Sequence, residues 1–291
     1  MRATSTLLAL TAILIWSFLA FLGTRVNQVP PFLLLGIAFC TSGLLTLVTI
    51  RSWRVPWRTF LVGVGGIFGY HFLYFLGLRY APPVEASLMN YLWPLLIVVL
   101  SPVFLPGYRL RPWHILGALS GLVGAGLIVT GGKLSLDLDS LPGYLFAAGA
   151  ALIWACYSLM TKRLPRFPTA AVGGFCLASG VFSFLIYFIE LYPMGTFYWP
   201  TPGEWLSLVL LGAGPMGAAF FAWDAALKRG DPRIIGSLSY LTPLFSTAIL
   251  VLLGGGEITP VSFGAMVLIV TGAVIGSLDL FHTPVSQRQS A

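Results

Sequence analysis

The sequence predicts an all-α integral membrane protein: ten transmembrane helices in two inverted five-helix repeats. Three observations carry this expectation. Of 291 residues, 57% are hydrophobic and only 9% charged, which leaves a water-soluble fold too little polar residue to cover its surface. Apolar segments of near-constant length alternate with short gaps rich in Gly and Pro. Features of the first half also return in the second at a fixed spacing.

The apolar segments run approximately 4–24, 31–50, 59–79, 84–104, 113–131, 141–161, 171–190, 204–227, 233–253 and 260–280. Each is close to the about 20 residues that cross a roughly 30 Å hydrocarbon core at about 1.5 Å per residue. The first follows Arg2 as a signal peptide would, but it is too long and reaches Arg25 without a clear small-residue cleavage site, so it reads as a retained span. Pro30-Pro31, Pro82-Pro83 and Asp231-Pro232 punctuate the gaps. No gap holds a soluble domain. The expected organisation is a first repeat over 1–132, a second over 133–281, and a polar, disordered cytoplasmic tail over 282–291.

The net charge of +7 raises nucleic acid as a partner, but the placement of the basic residues answers otherwise. Alternating spans put Arg2, Arg51, Arg54, Arg58, Arg109, Arg111, Lys162, Arg163, Arg166, Lys228, Arg229, Arg233 and Arg288 on the side of both termini. The opposite side receives Arg25, Arg79 and Lys133. Lys and Arg gather on cytoplasmic loops, so both termini are expected in the cytoplasm and no nucleic acid is expected. Cys40, Cys156 and Cys176 lie inside apolar segments and show neither disulfide nor metal spacing.

The repeat appears at a shift of 149: Gly63 and Gly65 meet Gly212 and Gly214, Leu78-Arg79 meets Leu227-Lys228, Pro83 meets Pro232, and Tyr91, Pro94 and Leu95 meet Tyr240, Pro243 and Leu244. At a shift of 138, Ile15-Trp16 meets Ile153-Trp154. Five spans per half is an odd number, so the halves insert in opposite senses, a pattern of secondary transporters whose site lies between the halves near mid-membrane. Glycine pairs at spacing four in segments three (Gly65, Gly69), five (Gly117, Gly121) and ten (Gly272, Gly276) let helices approach closely. Packing within a monomer is the expected use, and a dimer seam the other.

Segments four and nine carry a Tyr three residues before a mid-span proline, Tyr91–Pro94 and Tyr240–Pro243. Proline lacks an N–H and frees a carbonyl one turn earlier. In lipid such a carbonyl must be covered by protein or by a water-filled cavity. Pro94 and Pro243 are therefore expected helix hinges beside a substrate pathway, the plainer reading being packing kinks. Ionisable groups at mid-span cost about 2.5–3.5 kcal/mol on insertion scales, and His71 is the clear case. It is either a neutral imidazole bonded to a nearby carbonyl or a group that meets substrate and titrates. Aromatic and small polar residues at the same depth are its expected company: Trp16, Tyr70, Tyr74, Asn90, Tyr91, Trp93, Trp154, Tyr157, Ser237, Ser239 and Tyr240. Asn90 with Trp93, and Ser237 with Tyr240, share a helix face at i, i+3. Buried together these form an ordinary aromatic core or line a cavity for a neutral or zwitterionic ligand with an apolar side chain.

No carboxylate, Lys or Arg falls at mid-span. Glu85, Glu190, Glu204 and Glu257 sit at exterior ends, Asp137 and Asp139 in an exterior loop, and Asp224 near the cytoplasmic end of segment eight, four residues from Lys228. This disfavours a cation exporter with an embedded Glu and a carrier of phosphates, which wants embedded cations. An intramembrane enzyme lacks its paired aspartates or His-Glu-x-x-His. A channel remains distinguishable by ion currents against saturable counterflow.

These residues resemble a known family. The Ile-Trp of segments one and six and the Tyr-x-x-Pro-Leu of segments four and nine are similar to the EamA-type branch of the drug/metabolite transporter superfamily, over nearly the whole chain. Gly69-Tyr70-His71-Phe72 and Asn90-Tyr91-Leu92-Trp93-Pro94 look like the YddG-type aromatic amino acid exporters of bacteria. The resemblance implies a basket of helices in the bacterial inner membrane and alternating access. It also implies export of aromatic and other apolar amino acids, with Tyr70, His71, Tyr91, Trp93 and Trp154 lining the cavity. The expected partners are an amino acid and membrane lipid, with no cofactor, no metal and a monomeric state. Export of another small neutral metabolite or drug is the alternative, and the driving force is either the substrate gradient or proton exchange through His71.

Overall fold

The structure, a computed structural model, describes residues 2–133, 137–254 and 259–280. Glu257, Arg288 and the tail 282–291 lie outside the described residues. Within them the chain is all-helical: α1 (Arg2–Thr24), α2 (Pro31–Leu45), α3 (Trp57–Tyr80), α4 (Pro83–Asn90), α5 (Leu92–Phe104), α6 (Pro112–Thr130), α7 (Leu141–Arg163), α8 (Val172–Met194), α9 (Pro202–Ala213), α10 (Ala219–Arg229), α11 (Pro232–Ser239), α12 (Leu241–Gly254) and α13 (Pro260–Gly276). Proline opens α2, α4, α6, α9, α11 and α13 within the first turn, where its missing N–H would have had no helical partner anyway.

Among the described residues, eight stretches are long and apolar enough to cross a membrane. Pro83–Phe104 and Pro232–Leu253 are each one such stretch, interrupted at Tyr91 and Tyr240. Three expected segments differ from their outline. The segment 31–50 does not run straight: α2 stops at Leu45 and a 3₁₀ helix, Leu47–Trp53, turns away by 86°. The Thr46 hydroxyl donates to the Ser42 and Gly43 carbonyls (3.0 and 2.9 Å) and so competes with continuation of the helix. The segment 204–227 contains a π-turn at Gly214–Ala218. The last helix has 17 residues and ends at Gly276, short of the expected 280.

Packing pairs α6 with α13, α2 with α8, α3 and α5 with α7, and α10 and α12 with α1. The close approach of α6 and α13 is set by the expected glycines: a Cβ on Gly117 would lie 2.4 Å from the Gly276 nitrogen, and one on Gly272 2.6 Å from the Gly117 carbonyl. The pair expected in α3 is not used this way. Gly65 faces open space and Gly69 meets only Ile153 at 3.7 Å, whereas Gly63 and Gly66 admit the rings of Phe175 and Tyr157. The rim of the bundle is apolar, with Leu7, Leu145, Ile189 and Phe263 64–68% exposed, as a lipid-facing surface requires.

Contacts between helix ends define two faces. On one, Arg79 pairs with Glu190 at 3.1 Å, Gly143 meets Ala81, and Gly132 meets Val261. On the other, Gly230 meets Ser5, Gly173 meets Trp53, and Arg111 pairs with Asp279 at 3.1 Å. The second face carries most of the basic residues. Replacing Gly117 by Leu should lower thermal stability in detergent by about 1–3 kcal/mol, the usual cost of overpacking. Gly65→Leu, entering open space, should leave the melting temperature near that of the unaltered protein.

Candidate functional site

A cavity of about 550 Å³ lies at mid-depth where the α4–α5 and α11–α12 breaks approach each other. Seven of the residues singled out in the sequence form its wall: Tyr70 and His71 from α3, Asn90, Tyr91 and Trp93 around the first break, Trp154 from α7, and Pro243 from α12. Trp16 and Tyr74, expected as company, are there too. Tyr157, Ser237, Tyr240 and Pro94 are not on it. Tyr157 stands behind Trp154, ring centroids 5.4 Å apart, in the recess left by Gly66. The Ser237 hydroxyl donates to the Arg233 carbonyl (3.0 Å) and abuts Gly276. Pro94 is buried in the first turn of α5 against Gly236. Tyr240 is fully buried, its ring on Gly121.

The floor is aromatic. Trp16 sits at its centre, with ring centroids 5.1 Å from Trp223, 5.9 Å from Trp154, 6.0 Å from Phe220 and 6.3 Å from Trp93. Most of these pairs meet edge to face, the arrangement the ring quadrupoles favour. The polar tips are answered: Trp16 Nε1 donates to the Pro215 carbonyl of the π-turn (3.0 Å) and Trp223 Nε1 to Ser158 Oγ (3.1 Å). Met216, Phe220, Thr242, Ser246 and Thr247 complete the wall and were not singled out beforehand. Only Phe220 carried a signal, since it is the counterpart of His71 at a shift of 149.

His71 Nδ1 lies 2.7 Å from the Ile67 carbonyl. A carbonyl only accepts, so Nδ1 carries a proton, and in the neutral ring the lone pair then sits on Nε2. The ring is held edge-on by Phe39 (5.0 Å) and Tyr70 (4.7 Å). His71 is thus an imidazole on a carbonyl that is also cavity wall. Asn90 Nδ2 donates to the Tyr70 hydroxyl (3.1 Å), and Tyr74 shares a hydrogen bond with Ser87 (3.1 Å), tying α3 to α4 beside the break. At the break itself the Tyr240 hydroxyl accepts from the Leu95 N–H (3.2 Å) and donates to the Tyr91 carbonyl (3.2 Å).

From the floor the cavity runs past Leu19, Ala20, Pro83, Val84, Ile128, Val129 and Leu250 towards the face of Arg79 and Glu190. The basic face is closed by polar ties. Asp224 Oδ2 accepts from Lys228 and from Thr169 (both 2.6 Å), as the i, i+4 spacing of Asp224 and Lys228 leads one to expect. Lys162 donates to the Leu227 and Gly230 carbonyls. Asp279 gathers Arg111 and Trp113 (3.1 Å each), His114 (3.2 Å) and Arg233 (3.4 Å).

An apolar bundle whose spans break at mid-depth around a cavity is the architecture of a membrane transporter. The chain belongs to the EamA-like transporter family, whose pattern it matches twice, over residues 3–130 and 141–278. It is a multi-pass membrane transporter and not an enzyme. A protein named aromatic amino acid exporter YddG from Ancylobacter novellus is 44% identical over 286 residues, 95% of this chain and 98% of that one. The protein of the same name from Salmonella typhimurium is 27% identical, covering 93% of this chain and 96% of its own. A crystal structure 43% identical in sequence superposes with a TM-score of 0.90, covering 96% of this chain and 97% of that one.

Partial burial pushes the Asp279 carboxyl up, but His114, Trp113, Arg111 and Arg233 outweigh it and hold the pKa below the ordinary aspartate value. The stability this gives is present above the unfolded pKa and is lost as pH falls through the depressed folded one. Replacing Asp279 by Ala leaves the buried His114 N–H without its acceptor, which should cost about 1–3 kcal/mol. Thermal melts should show that loss at neutral pH and a smaller one in acid.

Proposed function

We propose that this protein exports aromatic and other apolar or neutral amino acids across the bacterial inner membrane. Access alternates between two inverted halves, residues 1–132 and 133–281, and substrate sits in the central cavity. The observation that carries this reading is the wall chemistry: aromatic faces, small hydroxyls, one amide and one imidazole, with no Asp, Glu, Lys or Arg among the described wall residues. Such a wall suits a substrate of zero net charge with an apolar side chain. It repels a cationic drug or a phosphate, each of which wants a counter-charge. Relatives named as aromatic amino acid exporters point the same way.

Several contacts support the inverted repeat. Residues equivalent between halves meet their own counterparts: Trp16 and Trp154 at 5.9 Å, His71 and Phe220 at 6.1 Å, and Tyr240 on Tyr91. So do the paired helices α2 with α8 and α6 with α13. Equivalent parts touch only near a symmetry axis, and an axis in the membrane plane runs through the cavity. The family pattern also matches each half separately. Counting bent α2 and the 17-residue α13, which is about 26 Å long at about 1.5 Å per residue, gives ten spans. The basic face is cytoplasmic with both termini, so the described state opens to the periplasm. Tyr70, His71, Asn90, Tyr91, Trp93 and Trp154 contact substrate, Tyr157, Ser237 and Tyr240 act from behind the wall, and Pro94 and Pro243 let the interrupted spans bend. The protein works as a monomer driven by the substrate's own gradient.

Purified protein in liposomes loaded with Phe, Trp, Met or Thr should release them saturably and show counterflow. Absence of efflux for all four overturns the reading, and ion currents would mark a channel instead. Removing the Trp93 ring should lower kcat/KM about tenfold, since lost ring contacts of about 0.5–1.5 kcal/mol add to lost area. His71→Ala should weaken transport similarly with expression intact. Rates that stay equal with and without an imposed pH gradient support uniport, and a steep dependence assigns proton exchange.

A further inference from the structure

The sequence gives Tyr91 and Tyr240 the same local setting, yet the structure uses them differently. Tyr91 lies on the cavity wall. Tyr240 is fully buried, and its hydroxyl occupies the gap in the other half's broken span. In a regular helix the Leu95 N–H would bond directly to the Tyr91 carbonyl. Here the Tyr240 hydroxyl stands between them, accepting from the first and donating to the second, each at 3.2 Å. It therefore bridges the open turn as a strut, beside Tyr91 and Trp93 on the wall. The ring behind it is seated on Gly121, where a Cβ would come within 2.4 Å, and among Val98, Ala118, Ala125 and Ile269.

We propose that Tyr240 is a positioning residue for transport whose strut is exchanged between the halves. In the described state the Tyr240 hydroxyl wedges the Tyr91–Leu95 turn. When access switches, the Tyr91 hydroxyl wedges the equivalent Tyr240–Leu244 turn and the first is released. This rests on the alternating-access reading above. The geometry behind it is that Tyr240 bridges the turn at Tyr91 while Tyr91 stands on the wall, and that rocking two inverted halves swaps the surroundings of equivalent residues. The exchange is isoenergetic in kind, since each state keeps one tyrosine bridge and breaks the other.

The test uses the full-length protein in nanodiscs without substrate, with Cys40, Cys156 and Cys176 replaced by alanine. Spin labels at Tyr80 and Leu252, 53% and 80% exposed at the ends of α3 and α12, report the width of the cavity mouth by double electron–electron resonance. Tyr240→Phe should lower the ratio of open to closed mouths about two- to tenfold, the range of one net hydrogen bond. Tyr91→Phe should raise it by a similar factor. Gly121→Ala, which displaces the Tyr240 ring, should act like Tyr240→Phe and serves if that variant does not purify as a single species. A merely structural tyrosine would not give shifts of opposite sign. Two mouth widths that ignore Tyr240→Phe, or move the same way in both tyrosine variants, overturn the strut and leave alternating access standing. A single width in the unaltered protein, with or without Phe or Trp, overturns alternating access and the strut with it.

Discussion

Everything in this fold is subordinate to one constraint: a backbone N–H or C=O inside hydrocarbon must find a partner within the protein. A span that runs as an unbroken helix meets the constraint alone and can face lipid. A span broken at mid-depth cannot, and it must turn the break inward. The α4–α5 and α11–α12 spans do this, and the second supplies the hydroxyl that satisfies the first. From that one contact follow the pairing of α11 with α5, the need for glycine at position 121 under the tyrosine ring, and the placing of the break beside open space. The π-turn at Gly214–Ala218 obeys the same rule, since its Pro215 carbonyl is taken by the indole of Trp16 from another helix. Local departures from helix geometry of this kind recur where membrane proteins hold ligands.

The aromatic floor is the second consequence. A cavity in hydrocarbon that carries no charge has to be shaped by rings and small hydroxyls. Four indoles and Phe220 meet at 5.1–6.5 Å, stiff enough to leave a defined void. Because the Trp16 and Trp223 N–H groups are already bonded to protein, the floor offers faces more than donors. Polar atoms on the wall are few, among them those of the His71 ring, the Asn90 amide and the hydroxyls of Ser246 and Thr247. Among the described residues the charges lie towards the ends of the helices, where Asp224, Asp279, Lys162 and Arg233 tie the basic face together.

Much of this was legible in the sequence because it is written in features that lipid enforces. The uneven placement of Lys and Arg follows the rule for cytoplasmic loops, and the prolines at 94 and 243 and the mid-span tryptophans need protein or a cavity to cover their polar groups. The failures are equally physical. Spacing-four glycines marked the right surface on α6 and α13, but on α3 the face that packs is that of Gly63 and Gly66. A chain with 33 glycines offers such pairs on many faces, and only the partner helix selects one. At the bend after Leu45 a single threonine hydroxyl takes two carbonyls. Threonine caps of that kind are too common in helices to announce a turn. Tyr240 lies at the depth of the wall residues and shares the motif of Tyr91, yet it is buried behind the wall. Local sequence is blind to which of two equivalent residues a given state exposes.

The lone imidazole at mid-depth bears on how transport is driven. His71 gives its Nδ1 proton to the Ile67 carbonyl and is flanked by the rings of Phe39, Tyr70 and Phe220. A second proton would place a full charge in that setting with no carboxylate on the wall to answer it, and burial of an uncompensated charge is among the costliest events in a protein interior. Asp224, the buried acid of the closed face, is already held by Lys228 and Thr169. Burial away from any counter-charge therefore favours the neutral ring, and the Ile67 carbonyl alone leans the other way. A zwitterion brings its own paired charges into such a chamber and leaves with them, so the cavity needs no charge of its own. Under the proposed export function, a neutral wall fits a carrier that follows the gradient of its cargo, with the histidine as an acceptor on the route in place of a proton ferry.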